Sequence, residues 1–94
     1  MVETKLTPLY VKTAAQKFDF KTIFLLDIQR KGVTSIGAIP ECINLVTLDL
    51  SRNNLSNISG LEKCIQLKVL NLSYNKLLSV TVLQTLCELQ RLEL

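Results

Sequence analysis

The stretch LVTLDLSRNNL, residues 45–55, decides the fold. Its leucines at 45, 48, 50 and 55 are spaced by three, two and five, a rhythm that fits neither an amphipathic helix nor a regular strand. Moved 22 residues towards the C-terminus, the pattern returns as LKVLNLSYNKL, residues 67–77, with Leu, Leu, Leu, Asn and Leu at the same offsets. Moved 22 residues the other way, it becomes IFLLDIQRKGV, residues 23–33, with Ile, Leu, Ile, Lys and Val. The register continues through Ile36, Ile58 and Val80, then Ile39, Leu61 and Leu83, then Cys42, Cys64 and Leu86. Leu89, Leu92 and Leu94 open a fourth copy. A fixed period of this length signals a solenoid.

Each part of the period has a local cause. Leu48 and Leu50 are two apart and share one face of a strand, so Thr47 and Asp49 face the other way. The later spacing of three, Leu55, Ile58, Leu61 and Cys64, suits an arc of 3₁₀ or short helical turns. One repeat is therefore one coil, with seven apolar side chains turned inward. No coil buries them alone, so neighbours stack and their strands pair in parallel. Asn53 and Asn75 fall where the strand ends and the chain turns inward. A side-chain amide both donates and accepts, so these residues are expected to form a buried ladder to backbone groups. Lys31 holds the position in the first copy and cannot accept, so that turn is expected to be looser, with Lys31 pointing out.

Residues 1–22 lie outside the period and read as an N-terminal cap. Thr7-Pro8 is a helix start, an N-cap hydroxyl followed by proline at the first helical position. The spacing predicts a helix over about 8–17, with Leu9, Val11, Ala14, Ala15 and Phe18 as its apolar stripe and Phe18 and Phe20 sealing the edge. Lys12, Lys17 and Lys21 are expected in solvent. The repeats then run 23–44, 45–66 and 67–88, with 89–94 as a partial fourth. ELQRLEL stops inside a strand, which leaves an open edge. A truncated piece of a longer protein, end-to-end association of two copies through the uncapped C-terminal coil, and a short natural product all fit that ending.

The pattern LxxLxLxxNxLxxLxxLxxLxx over residues 23–94 resembles the 22-residue class of leucine-rich repeats, typified by the nuclear regulatory subunit of protein phosphatase 1. The resemblance implies an α/β fold: a right-handed leucine-rich-repeat solenoid with a parallel sheet on its concave side and an N-terminal capping helix. It also implies protein binding on that sheet. The outward strand positions form columns, and these are the expected contact residues. They are Leu25, Thr47, Val69 and Arg91; Asp27, Asp49, Asn71 and Glu93; Gln29, Ser51 and Ser73; and Arg30, Arg52 and Tyr74. Small residues at 47, 51, 71 and 73 would keep the middle flat, and Tyr74 would be the best anchor.

Composition narrows the alternatives. A net charge of +3 with no basic run gives no nucleic-acid or membrane patch, so direct nucleic-acid contact is not expected. There is no histidine, no Cys-x-x-Cys and no glycine-rich phosphate loop, so neither a metal site, a cofactor nor an enzyme is expected. Asp27 and Asp49 would sit on an open, solvated sheet without the enclosure that acid–base catalysis uses. Cys42 and Cys64 share one coil position and read as buried packing, with Cys87 partly buried. An odd number of cysteines with no leader-like apolar run points to the cytoplasm, or to the nucleus or cilium. The resemblance leaves three settings open for the partner: a ribonucleoprotein, a phosphatase complex, and a ciliary or axonemal scaffold.

Overall fold

A computed structural model describes residues 3–94. Four strands form one parallel sheet in chain order: β1 (Leu25–Asp27), β2 (Thr47–Asp49), β3 (Val69–Asn71) and β4 (Arg91–Glu93). Leu25, Thr47, Val69 and Arg91 are register partners across it, as are Leu26, Leu48, Leu70 and Leu92. Each strand position is therefore matched by the residue 22 places on. The arcs between strands carry 3₁₀ turns at Ile39–Glu41, Leu61–Lys63 and Thr81–Thr85.

Side-chain burial follows the repeat. All seven inward positions of the first two coils are buried, from Ile23 to Cys42 and from Leu45 to Cys64. In the third coil Leu67, Leu70, Leu72 and Leu86 are buried, while Leu77 and Leu83 are half-buried and Val80 is exposed. Leu92 of β4 is 41% exposed. The expectation of seven buried positions in three copies thus holds for two. The reason is geometric: an inward side chain is shielded by the coils on both sides, and the third coil is only partly covered on its far side.

The strand ends are held by the asparagines. Asn53 Oδ1 accepts from the N–H groups of Lys31 and Val33, each at 3.0 Å. Its Nδ2 donates to the carbonyls of Ile28, Leu50 and Ser51 at 2.8, 2.9 and 3.2 Å. Asn75 repeats this one coil later, accepting from Leu55 N–H and donating to the carbonyls of Leu50, Leu72 and Ser73. The first turn is consequently not loose: Lys31 does point out, but Asn53 grips its backbone from the next coil.

The cap differs from its predicted form. Helix α1 spans Pro8–Ala15, with Thr7 Oγ1 accepting from Tyr10 N–H at 3.1 Å. It stops when Gln16 turns left-handed at φ 58° and donates to the carbonyls of Lys12 and Thr13. Ending there takes Phe18 out of helical phase, and Phe18 is 97% exposed rather than part of a stripe. Leu9 and Ala14 are exposed as well; Val11 is buried, with Tyr10 and Ala15 packing beside it. Phe20 packs on the core, and Lys12 lies over its ring, 4.6 Å from the centroid, instead of standing free in solvent.

An extended segment ahead of α1 also covers the first coil. Thr4 bridges in parallel to Val33, Leu6 is buried, and Leu6 carbonyl accepts from Ala38 N–H at 2.8 Å. Gly37 makes this approach feasible. Its φ is +52°, and a Cβ there would collide with the Leu6 carbonyl.

Leu50→Ala is expected to lower unfolding free energy by about 2–5 kcal/mol, because it empties a site enclosed by two coils. Asn53→Ala should cost more than Asn75→Ala, the latter about 1–3 kcal/mol, since Asn53 serves two donors of the preceding coil and Asn75 one. Urea titration of the three variants measures both, and equal midpoints for the two asparagine variants would contradict the ladder.

Candidate binding face

The outer surface of the sheet is set by three devices that recur in every coil. The first is a shared carbonyl where each strand begins. Phe24 carbonyl accepts from both Val46 and Thr47 N–H, Val46 carbonyl from Lys68 and Val69, and Lys68 carbonyl from Gln90 and Arg91. Each carbonyl thus serves two successive amides of the next coil with no change of register, and position 24 and its equivalents lie next to the predicted column. Phe24 is 55% exposed and Val46 half-buried, so the N-terminal margin of the sheet is largely apolar, with Phe24, Leu25, Val46 and Val69 beside Thr47, and gives way to the exposed Lys68 at the third coil. Sequence reading missed Phe24 and Val46, because strict alternation with Leu25 and Thr47 turns both of them inward.

The second device is a carboxylate or amide that closes the strand end. Asp27 Oδ1 accepts from Gln29 N–H at 3.3 Å, Asp49 Oδ1 from Ser51 N–H at 2.9 Å, and Asn71 Oδ1 from Ser73 N–H at 3.0 Å. Gln29 Nε2 also donates to both oxygens of Asp27, and Ser73 hydroxyl donates to Asn71 Oδ1. The stacking of Asp27 beside Asp49, costly for bare charges, is explained by these donors. The column is thus partly structural: both oxygens of Asp27, one of Asp49 and the amide oxygen of Asn71 are already engaged.

The third device is a left-handed residue. Arg30, Arg52 and Tyr74 each have φ 58°, the region that favours glycine. This swings the chain from strand to inward turn and throws all three side chains outward, where each is exposed. Arg52 Cζ lies 4.1 Å from the Tyr74 ring centroid, so the guanidinium stacks on the aromatic face of the next coil. Left-handed geometry at arginine and tyrosine has no signature in the sequence.

Most expected contact residues share this one surface. Leu25 is 63% exposed and Tyr74 69% exposed. Thr47, Asp49, Val69, Asn71, Gln29 and Ser73 are half-buried, and Asp27, Arg30, Arg52, Arg91 and Glu93 are exposed. Ser51 is the exception: at 5% exposure it is buried and offers little surface, contrary to expectation, because it sits between the Asp49 cap and the Asn53 amide. Thr47, Asp49, Val69, Asn71, Arg91 and Glu93 rim a shallow depression of about 220 Å³. Arg91 and Glu93 close its far side with an ion pair at 3.1 Å.

The thiols lie elsewhere. Cys42 and Cys64 are buried in adjacent arcs, and Cys64 Sγ donates to Ile39 carbonyl at 3.6 Å. Cys87 is exposed, not partly buried, and its position matches Ile43 and Ile65, which are exposed too. Burial pushes the Cys42 thiol up to about 11, with the Glu41 charge adding to the effect. Burial likewise pushes Cys64 up to about 12, with Cys42 and Glu62 adding to it. Among the described residues no group of three or more His, Cys, Asp or Glu is placed to hold a metal, and no helix is long and apolar enough to cross a membrane.

Comparison with known proteins agrees with this geometry. A family described as leucine-rich repeats, two copies, matches residues 43–85. An internalin C2 from Listeria monocytogenes superposes with a TM-score of 0.79 at 28% identity, covering 87% of this chain and 40% of that one. An internalin (inlF) from the same organism gives 0.80 at 27% identity, covering 87% and 27%. The chain thus spans less than half the length of either. No curated protein matches in sequence.

The raised thiols predict a pH dependence. Both are neutral in the folded chain, whereas unfolded cysteine ionises near 9. The unfolded state therefore holds fewer protons above pH 9. The thiols' stabilising contribution is complete below that pH and declines as pH rises towards 11–12. Urea midpoints should fall over this window, and Cys42→Ala with Cys64→Ala should flatten the decline. An unchanged slope would show that the thiols are not its source.

Proposed function

We propose that this leucine-rich-repeat solenoid is a non-catalytic module that holds a protein partner on the outer face of its sheet. Leucine-rich-repeat proteins are in general protein-interaction modules, and the fold is theirs. The supporting observation is the row Leu25, Thr47, Val69 and Arg91. These residues are register partners, fixed at strand spacing and accessible, with Tyr74 and Arg52 stacked at the opposite end of the strands. Side chains held this way lose little freedom on docking, which favours affinity. Arg52 and Tyr74 belong to residue types enriched at binding hot spots.

The closer likeness to the 22-residue class of the phosphatase 1 nuclear regulatory subunit is part of the proposal, supported by the constant 22-residue register of the strands. So is a location inside the cell, supported by three free thiols.

A photo-crosslinking amino acid placed at Thr47 or Val69, and separately at Lys63 on the arc, tests the face whatever the partner is. Irradiation in cells is expected to give discrete protein adducts from positions 47 and 69 and none from 63. Adducts mainly from 63, or from no position, would reject the face.

A further inference from the structure

We propose that the turns following the strands form a basic ridge that receives a short acidic peptide segment of the partner. The inference rests on the protein-binding reading above and names the chemistry of what binds there. Stacked turns bring Arg30, Lys31, Arg52 and Lys76 to the strand-end edge, and all four are exposed. Three of them line a groove of about 500 Å³, whose other walls are Thr4, Gly32, Asn53 and Asn54; no acidic side chain lines it. Among the described residues the sole ion pair is Arg91–Glu93, so none of the four cations has a carboxylate within bonding reach. The ladder already engages both ends of the Asn53 amide, so the cations are the groove's charged recognition groups, beside the polar side chains of Thr4 and Asn54.

The ridge is also ordered. Arg30 and Arg52 sit on identical left-handed backbone, and Arg52 is held against the Tyr74 ring. Like charges stacked on adjacent coils repel one another, and anions from a partner relieve that repulsion. The nearest acids on the strands, Asp27 and Asp49, bond the amides of Gln29 and Ser51 and belong to the sheet, not to the groove. Glu3 is exposed beside Thr4.

The neighbouring charges favour a peptide over a nucleic acid. A phosphodiester strand is charged along its whole length and would run beside the parallel Asp27 and Asp49 column, and a net charge of +3 gives it little general attraction. A short acidic run can occupy the ridge alone. Its flanking apolar residues then reach the Leu25–Val69 margin, about 15 Å away at strand rise.

Fluorescence anisotropy with labelled 12-residue peptides tests the ridge directly. The set is an alternating Glu-Ser peptide, its Gln-Ser counterpart, and a 12-nucleotide oligouridine. The acidic peptide is expected to bind at least ten-fold tighter than the neutral one and to weaken with added salt. Lys31→Glu combined with Arg30→Glu should weaken it at least ten-fold, whereas Lys21→Glu with Lys63→Glu, the same charge change elsewhere, should leave it within two-fold. Thermal melting checks that each variant folds, and Lys31→Glu alone, at an exposed side chain, serves if the double variant does not. Equal binding of the two peptides, equal loss in the control variant, or tighter binding of oligouridine would overturn the proposal. Failure is separable from that of the sheet-face reading. Persisting crosslinks from 47 and 69 with no acidic-peptide preference sink the ridge alone. Loss of those crosslinks with the preference intact sinks the face alone.

Discussion

The side-chain amide of Asn53 makes five hydrogen bonds to backbone groups in two successive coils, and the rest of the molecule depends on that grip. Where each strand ends, the chain leaves the sheet and turns inward, so its amides and carbonyls lose their ladder partners. Buried and unpaired, each would cost a large share of the modest stability available to 94 residues. One amide on the next coil supplies both polarities at once. Stacking is therefore enforced by polar need as well as by apolar burial: a coil without its neighbour leaves backbone groups unmet and leucines wet.

The same arrangement explains why the outer sheet face is so regular. Once coils stack at a constant 22-residue offset, like positions become neighbours whether or not their charges agree. Asp27 falls beside Asp49 and Arg30 beside Arg52. The structure manages the acids by bonding them to strand-end amides, and one of the arginines by stacking it on Tyr74. Arg30 and Lys31 receive no such compensation. A surface of this kind is divided, with an apolar margin where the strands start, polar caps where they end, and unpaired cations beyond.

The first coil shows how the chain deals with an end. Its inward residues need a cover, and α1 supplies only part of it, since two helical turns bury little more than Val11, with Tyr10 and Ala15 alongside. The segment from Thr4 to Leu6 completes the cover by adding backbone bonds to Val33's neighbour and to Ala38, against a glycine that leaves room for it. In the third coil and β4, Val80 and Leu92 are accessible.

The period, the inward set of the first two coils, the strand columns and the asparagine ladder were legible in the residues, because each depends on local alternation repeated at a fixed offset. A side chain's inward or outward sense follows from its place in that offset, and Leu48 or Asn53 could be assigned from spacing alone. Tertiary structure decided what depends on which groups meet. Phe18 is exposed because Gln16 ends the helix; Ser51 is buried because the Asp49 cap and the Asn53 amide close over it. Phe24 is accessible at the strand start, where its carbonyl serves two amides of the next coil, and the left-handed turn aims Arg52 at Tyr74. None of these four can be read from the spacing of apolar residues, since each arises from a backbone geometry or a contact that the spacing does not encode.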